Sequence, residues 1–512
     1  MTGSARRYTE CRVHAVQQEI LRSTRHCRVN RHAQSGAFAI MFVPLLFVLA
    51  GFFGLALDLS LVYNRKAELQ GVAQGIALDA ARELNGTSAG VVAALTKAAV
   101  ASGRQQFGYG RTIPWNENAI RFSNSPAADA DWVDAATARS MPTNQYYVKV
   151  DTEALDDDTS LVDMIFIRIL SDAFTSVRVS ERAVAGRSTI NITPLAVCAM
   201  SPDPAIARTS PLSTSIIELV EFGFRRGVSY DLMNLNPGGA SPASFAVDPL
   251  APPGGAGSSS NTSASALAPF VCTGNMWTAR VTGGAIRVSS PFPVESLYRE
   301  LNSRFDRYTD SRCNANGAPP DFNIKSYSHG ASGGASWMSP RPSNASALSV
   351  VTGTRLETIA DLPTPPASTP PGAYGVLWAH SRAVKFSAYS PGSLEPDEGY
   401  ATFTTSDWPN LYPATPAPAP SSYPASPPYF AASGTHYGRP STTNLPISVL
   451  GRRILYVPLL RCPVPAGANV GATALAIGKF FMTVPATETS IHAEFAGTAP
   501  ESKLTSHIVL YQ

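Results

Sequence analysis

Charged residues are scarce in this sequence of 512 amino acids. Asp, Glu, Lys and Arg make up 15% of the chain, whereas about a quarter is usual in soluble domains. The 42 Pro and 38 Gly favour extensive loops. The length allows a sizeable core and two or three folding units. Because no basic cluster lies beside aromatic residues in a candidate domain, we do not expect a nucleic-acid-binding protein.

Motifs for metal binding and redox chemistry are also lacking. There is no Cys-x-x-Cys pair, which argues against a zinc ribbon or a redox motif. Residues 156–158 are Asp-Asp-Asp but lack the Gly and terminal Glu of a calcium loop, so we interpret them as a helix start. Five histidines lie in the body of the chain without metal-ligand spacing: His329, His380, His436, His492 and His507.

One serine formally matches a hydrolase motif. Residues 330–334 read Gly-Ala-Ser-Gly-Gly, so Ser332 stands in a G-x-S-x-G pattern. The nucleophile elbow that uses this pattern needs a buried strand before it and a helix after it, whereas Ser and Gly flank it here. We therefore predict no catalytic, cofactor-binding or metal-binding residues, no small-molecule substrate and no enzymatic activity.

The longest apolar run lies near the N-terminus. Residues 36–57 are 22 positions without a charge, and as a helix they would span about 33 Å, close to one hydrocarbon core. A cleaved signal peptide is the main alternative, but its apolar region is usually about 7 to 15 residues long and ends in a small-x-small site. This run is longer and is followed by Asp58, Leu59 and Ser60, so we expect an uncleaved transmembrane helix.

The charges on either side of this run predict its orientation. Residues 1–35 contain seven Arg and two Glu, whereas the twenty residues after the run contain only Arg65 and Lys66 as basic residues. Basic residues are concentrated on the cytoplasmic side of membrane helices. The N-terminus is therefore predicted to be cytoplasmic, and the rest of the chain is predicted to be exported.

Past the apolar run, the sequence predicts an α+β protein with a β-rich exported body. Ala and Leu favour helices that continue the transmembrane helix as a stalk. Short apolar runs then favour strands, apart from a helix predicted over residues 160–171. Two stretches rich in Pro, Gly and Ser are predicted to be loops. The predicted segments are 1–35 (basic tail), 36–57 (transmembrane helix), 58–107 (helical stalk), 108–235 (mixed α/β block), 236–269 (low-complexity loop), 270–327 (α/β block), 328–446 (Pro/Gly/Ser-rich loops) and 447–512 (β-rich segment).

Several features near the N-terminus follow an order that is typical of one family. They are Gly36, Pro44, Asp58, Leu69-Gln70 and Asp79-Ala80-Ala81. On these features the segment resembles the N-terminal region of TadG/TadE-like proteins of the Flp (Tad) pilus assembly system. The Glu that prepilin-like TadE members have early in the span is absent, which favours the TadG-like side. Some relatives contain a von Willebrand A domain, but its Asp-x-Ser-x-Ser metal motif is absent from this sequence.

The resemblance implies a bacterial, non-catalytic component of Flp/Tad-type pilus assembly or secretion that supports pilus formation and adhesion. Its single helix would lie in the inner membrane and its body in the periplasm. Other pilus-assembly or secretion proteins would be its partners. Two alternatives remain open: a membrane-anchored periplasmic hydrolase that uses Ser332 or a carboxylate pair, and a surface adhesin with Pro-rich extensions.

Four of the six cysteines fall in the predicted exported part: Cys198, Cys272, Cys313 and Cys462. An even number of cysteines in an oxidising compartment favours disulfides. Three pairings are possible. Cys272 and Cys313 bracket one compact block, which favours their pairing with each other and leaves Cys198 for Cys462.

Overall fold

A computed structural model of the chain describes residues 37–107, 110–142, 145–169, 175–187, 189–278, 280–330, 335–339, 341–370, 372–413, 422–505, 508 and 510–511. The predicted basic tail, with Cys11 and Cys27, and the serine of the G-x-S-x-G pattern lie outside these residues. The chain divides into two compact units. The first comprises Met1–Ser60 and Met164–Thr175, and the second comprises Leu61–Asp163 and Ser176–Gln512.

Seven helices occur among the described residues. They are α1 (Ala37–Glu83), α2 (Ser88–Arg104), α3 (Ala135–Ser140), α4 (Asp157–Ser160), α5 (Ala264–Thr273), α6 (Val294–Leu301) and α7 (Trp408–Leu411). Strands are more numerous in the same part of the chain. They are β1 (Gln106–Phe107), β2 (Arg111–Thr112), β3 (Ile120–Ser123), β4 (Tyr147–Asp151), β5 (Leu161–Asp163), β6 (Ser176–Arg178), β7 (Arg182–Gly186), β8 (Leu195–Cys198), β9 (Ile206–Ser210), β10 (Ser213–Glu221), β11 (Phe224–Arg225), β12 (Ser229–Asp231), β13 (Ser244–Val247), β14 (Ala285–Ser289), β15 (Ser349–Thr352), β16 (Arg355–Thr358), β17 (Ile454–Leu460), β18 (Val470–Met482), β19 (His492–Ala499) and β20 (Leu510–Tyr511). This composition confirms the predicted α+β class with a β-rich body.

The N-terminal helix α1 is continuous over 47 residues and includes Pro44. It therefore joins the predicted transmembrane segment and the first part of the predicted stalk in one element. The helix ends just before Gly86, whose φ of +77° suits glycine far better than any other residue. Helix α2 starts again after Thr87, whose side chain accepts a hydrogen bond from the N–H of Gly90 at 3.0 Å. This N-cap satisfies one of the free amides at the helix start.

In the second unit, the last turns of α1 pack with α2 against a small antiparallel sheet. The strand order of this sheet is β20-β7-β4-β3. Ala73, Ala77 and Ala80 of α1 are fully buried beside Phe122 and Val148 of the sheet. Alanine at spacings of three and four residues presents a smooth face, so the backbone of the helix approaches its neighbours closely.

The largest sheet of the second unit has the order β12-β19-β18-β14-β13-β8-β17, and β17 also pairs with β18. Five of its strands therefore form a closed ring. All pairings are antiparallel except β17 with β8. Both faces are buried, as β8 shows. Leu195 and Val197 pack into one apolar cluster, whereas Ala196 and Cys198 pack into another. This alternation follows from the two-residue period of a strand.

The helix predicted over residues 160–171 is wrong. Helix α4 ends at Ser160, strand β5 follows, and Ile167–Ile169 is a single 3-10 turn. Strand β5 pairs with β6, and Val162 packs with Leu69 and Val179. A short apolar run fits both a buried helix and a buried strand, and here pairing with a neighbouring strand favoured the strand.

The two stretches predicted to be loops are ordered and buried over much of their described length. Strand β13 lies within residues 236–269 and all four of its residues are buried. In the stretch 328–446 regular elements are few, but Trp337, Trp378 and Tyr412 are completely buried. The prediction from composition gave too little weight to these aromatic side chains, each of which buries about 150 to 250 Å² of surface.

Candidate functional site

The apolar part of α1 presents its large side chains to the surroundings. Met41 is 77% exposed, Phe47 74% and Phe53 70%. Among the described residues, α1 is the one helix that is long and apolar enough to cross a membrane. Its most apolar window has a mean hydropathy of 2.3, and only 11% of that window is buried. A core helix of a soluble protein would be mostly buried, so this exposure favours a single-pass anchor.

Asp58, which follows this apolar run, has a specific structural partner within the first unit. Its carboxylate accepts hydrogen bonds from the backbone N–H groups of Ile165 at 2.9 Å, Phe166 at 3.0 Å and Ile167 at 2.7 Å. The side chain is buried. These N–H groups lie at the start of a 3-10 turn, where they have no partner within the turn itself. The carboxylate satisfies all three with charge-assisted bonds.

Gly54, one turn before Asp58, allows this close approach. A Cβ atom at position 54 would lie 2.7 Å from the Cβ of Phe166, which is too close for two carbon atoms that are not bonded to each other. Gly54 and Asp58 thus act together on residues 165–167. The glycine leaves room for this segment, and the carboxylate of Asp58 binds its backbone N–H groups. The sequence contained the aspartate as a family feature, but nothing in it pointed to a partner about a hundred residues away.

The four cysteines that were predicted to pair form two disulfides in the second unit. Cys198 bonds to Cys462, with 5.6 Å between their Cα atoms, and Cys272 bonds to Cys313, with 5.5 Å. The first bond links the end of β8 to the residues just after β17. These two strands are parallel neighbours in the main sheet. The second links α5 to a loop after α6, where Ala318 and Tyr308 pack around it. Both pairings are those favoured by the sequence.

Those remaining candidate positions that the structure describes do not assemble into a reactive site. Asp156 is the N-cap of α4 but makes no hydrogen bond there with its side chain. In the part of the chain that the structure describes, no three His, Cys, Asp or Glu side chains are placed to hold a metal ion. His380 stacks on Phe481 with 4.8 Å between ring centroids, and burial lowers its pKa to about 3. It is therefore a neutral core residue.

A buried carboxylate that the sequence did not single out organises the segment around His380. Glu494 of β19 accepts hydrogen bonds from the backbone N–H groups of Ala379 at 2.5 Å, His380 at 2.9 Å and Ser381 at 2.6 Å. Burial raises the pKa of Glu494 to about 7, although the three N–H donors act in the opposite direction. The residue fixes a segment without regular structure onto the main sheet, which is a structural role.

These features define a class of protein with one exposed apolar helix suited to a membrane and a disulfide-linked, β-rich body. Residues 35–83 match a family model described as "Putative Flp pilus-assembly TadE/G-like". This match confirms the predicted resemblance and supports involvement in Flp pilus assembly. It covers the apolar run, Asp58 and the rest of α1. No curated protein and no solved structure gives a significant match to the chain.

Proposed function

We propose that the protein is a non-catalytic, membrane-anchored component of Flp/Tad-type pilus assembly or secretion that supports pilus formation and adhesion. One observation carries this proposal. The residues that match the pilus-assembly family, 35–83, are nearly the same residues that form the apolar helix α1, Ala37–Glu83. The family resemblance therefore lies in the anchor, and the body is the part available to contact other pilus-assembly proteins.

In this proposal α1 crosses the bacterial inner membrane, residues 1–35 are cytoplasmic and the body is periplasmic. The Arg-rich composition of the tail supports this orientation. The two disulfides support it as well, because such bonds persist in the periplasm and are rare in the cytoplasm.

Reporter fusions after Glu83 test the orientation. We expect alkaline phosphatase, which needs an oxidising compartment, to be active there, and a fluorescent protein that folds only in the cytoplasm to be dark. Activity is compared at equal amounts of fusion protein. The same pair of reporters at the N-terminus should give the reverse result. A bright fluorescent protein after Glu83 would reverse the proposed topology.

Deletion of the gene tests the role in pilus assembly. We expect the deletion strain to lose surface pili and attachment, and the intact gene to restore both. Complementation with Ser332→Ala should restore them equally, because the sequence around this serine lacks the strand and helix of a nucleophile elbow. Pili and attached cells are counted, and protein amounts are checked by blot. Unchanged pili after deletion would refute the proposed role, whereas failure of Ser332→Ala at a normal protein amount would favour the hydrolase alternative.

A further inference from the structure

A cavity of about 590 Å³ in the second unit contains two arginines and no acidic residue. Arg304 lies in the 3-10 turn after α6, and Arg452 lies just before β17. Leu450, Phe430 and Tyr456 contribute apolar surface to the same cavity. Its lining is therefore cationic at one place and apolar at others.

Arg304 is almost completely buried, with 1% of its surface exposed. One of its terminal nitrogens, Nη1, donates to the carbonyl oxygen of Val271 at 3.0 Å. Its Nε is buried and makes no hydrogen bond. Among the described residues, no carboxylate lies within ion-pair distance of this guanidinium. Burial lowers the pKa of Arg304 well below its usual value, and the nearby positive charge of Arg452 lowers it further.

Arg452 has polar partners but likewise no acidic one in the described part of the chain. Its guanidinium donates to the carbonyl oxygens of Pro319 at 3.1 Å, Thr273 at 2.7 Å and Cys272 at 2.8 Å. These bonds orient the group without neutralising it. Two positive charges thus share one cavity, an arrangement that is costly unless an anion balances it.

Two other buried arginines of the same body are paired with carboxylates. Arg225 lies 2.7 Å from Glu218, and Arg226 lies 2.5 Å from Glu221. The fold therefore neutralises some buried guanidinium groups with its own acidic residues, whereas the guanidinium of Arg453 donates only to backbone carbonyl oxygens of the described residues, such as those of Met482 and Asn323. At Arg304 and Arg452 no carboxylate of the described residues lies within ion-pair distance, although burial lowers the pKa of Arg452 and the negative charge of Asp321 acts in the opposite direction. A bound anion would add to this balance.

A glycine leaves space beside one terminal nitrogen of Arg304. Gly274 ends helix α5 with a φ of +79°. A Cβ atom at this position would lie 3.0 Å from Nη2 of Arg304. The missing side chain leaves room beside Nη2, whereas Nη1 is the nitrogen that donates to the carbonyl oxygen of Val271.

We propose that this cavity binds the carboxylate of a ligand that also has an apolar part. A guanidinium offers parallel N–H donors that match a carboxylate, and the lining by Leu450, Phe430 and Tyr456 suits an apolar group attached to it. The site is independent of the membrane anchor, so it adds to the proposed assembly role without resting on it.

Calorimetric titration of the full-length protein in detergent micelles tests this site. The probes are phenylacetate and its neutral counterpart, phenylacetamide. We expect phenylacetate to bind and phenylacetamide to show no saturable binding, since only the anion balances the two arginines. Competition by inorganic phosphate would support the site as well and would show that a free oxyanion is sufficient. Equal binding of the two phenyl compounds, or no binding of phenylacetate, would overturn the proposal.

Leu450 offers a matched pair of variants, because it lines the cavity and is 60% exposed. We expect Leu450→Glu to weaken phenylacetate binding at least about tenfold, since a fixed negative charge competes with the ligand. In Leu450→Gln the new side chain has the same shape as glutamate but no charge. This variant should bind phenylacetate nearly as the parent protein does. Arg452→Gln should also lose binding. If Leu450→Glu and Leu450→Gln bound phenylacetate equally, the charge-based site would be refuted.

Discussion

Replacement of Leu49 by Arg is expected to remove the protein from the membrane and to abolish pilus formation. Leu49 lies well inside the apolar run of α1, and its side chain is 45% exposed, so lipid would surround an arginine there. An arginine near the centre of a membrane helix costs about 2.5 to 3.5 kcal/mol on the insertion scale. Among the described residues α1 is the one helix suited to span a membrane, so no second span compensates for this cost.

The measurement is the fraction of protein that sediments with membranes after an alkaline wash, together with a count of surface pili in the complemented deletion strain. Val92→Arg is the matched control, because Val92 also lies on a helix and is 46% exposed, but outside the apolar run. We expect Val92→Arg to remain in the membrane fraction. If both variants were lost from the membrane to the same extent, a general folding defect would explain the result better than failed insertion.

The apolar N-terminal helix and its match to the TadE/G-like family model were predictable from sequence because they depend on local properties. An uncharged run of 22 residues beside seven arginines needs no tertiary information. The structure extends the helix to Glu83 as one element. The cysteine pairing was also accessible, since Cys272 and Cys313 bracket a short block and the other pair follows by elimination.

The rest of the molecule depends on contacts between distant parts of the chain, which the sequence does not display. Composition predicted loops for residues 328–446. In the structure, however, the indole N–H of Trp378 donates a hydrogen bond to the hydroxyl of Tyr412 inside the core, at 2.9 Å. The apolar run after Ser160 has no clear period, and its pairing with β6 determined its conformation.

The same limit applies to the candidate sites. Asp58 was visible as a family feature, but its three backbone donors lie 107 to 109 residues away. The two arginines of the cavity are 148 residues apart in the chain. Nothing in their sequence neighbourhoods distinguishes them from surface arginines. What marks them is that the fold places both in the lining of one cavity, without a carboxylate of the described residues at ion-pair distance.

Removal of the Cys198–Cys462 disulfide is expected to destabilise the body more than removal of Cys272–Cys313. The first bond joins residues 264 positions apart and the second joins residues 41 apart. A cross-link lowers the entropy of the unfolded chain, and the effect grows with the logarithm of the enclosed loop. That relation gives about 5.6 kcal/mol for the long loop and about 3.9 kcal/mol for the short one. Cys198 and Cys272 are both buried. A difference in solvent exposure between these two cysteines therefore does not explain a difference in stability between the two variants.

Two double variants, Cys198→Ala with Cys462→Ala and Cys272→Ala with Cys313→Ala, isolate the two bonds in the full-length protein. Unfolding in urea, followed by tryptophan fluorescence, gives the loss of stability for each. Alanine is small and apolar, so each variant removes the cross-link with little change in packing. The parent protein should migrate faster without reductant than with it, and each variant should keep part of that difference. Free alkylation of Cys198, Cys272, Cys313 and Cys462 in the native parent protein would contradict both bonds. A larger loss of stability for the short loop would show that local packing outweighs chain entropy.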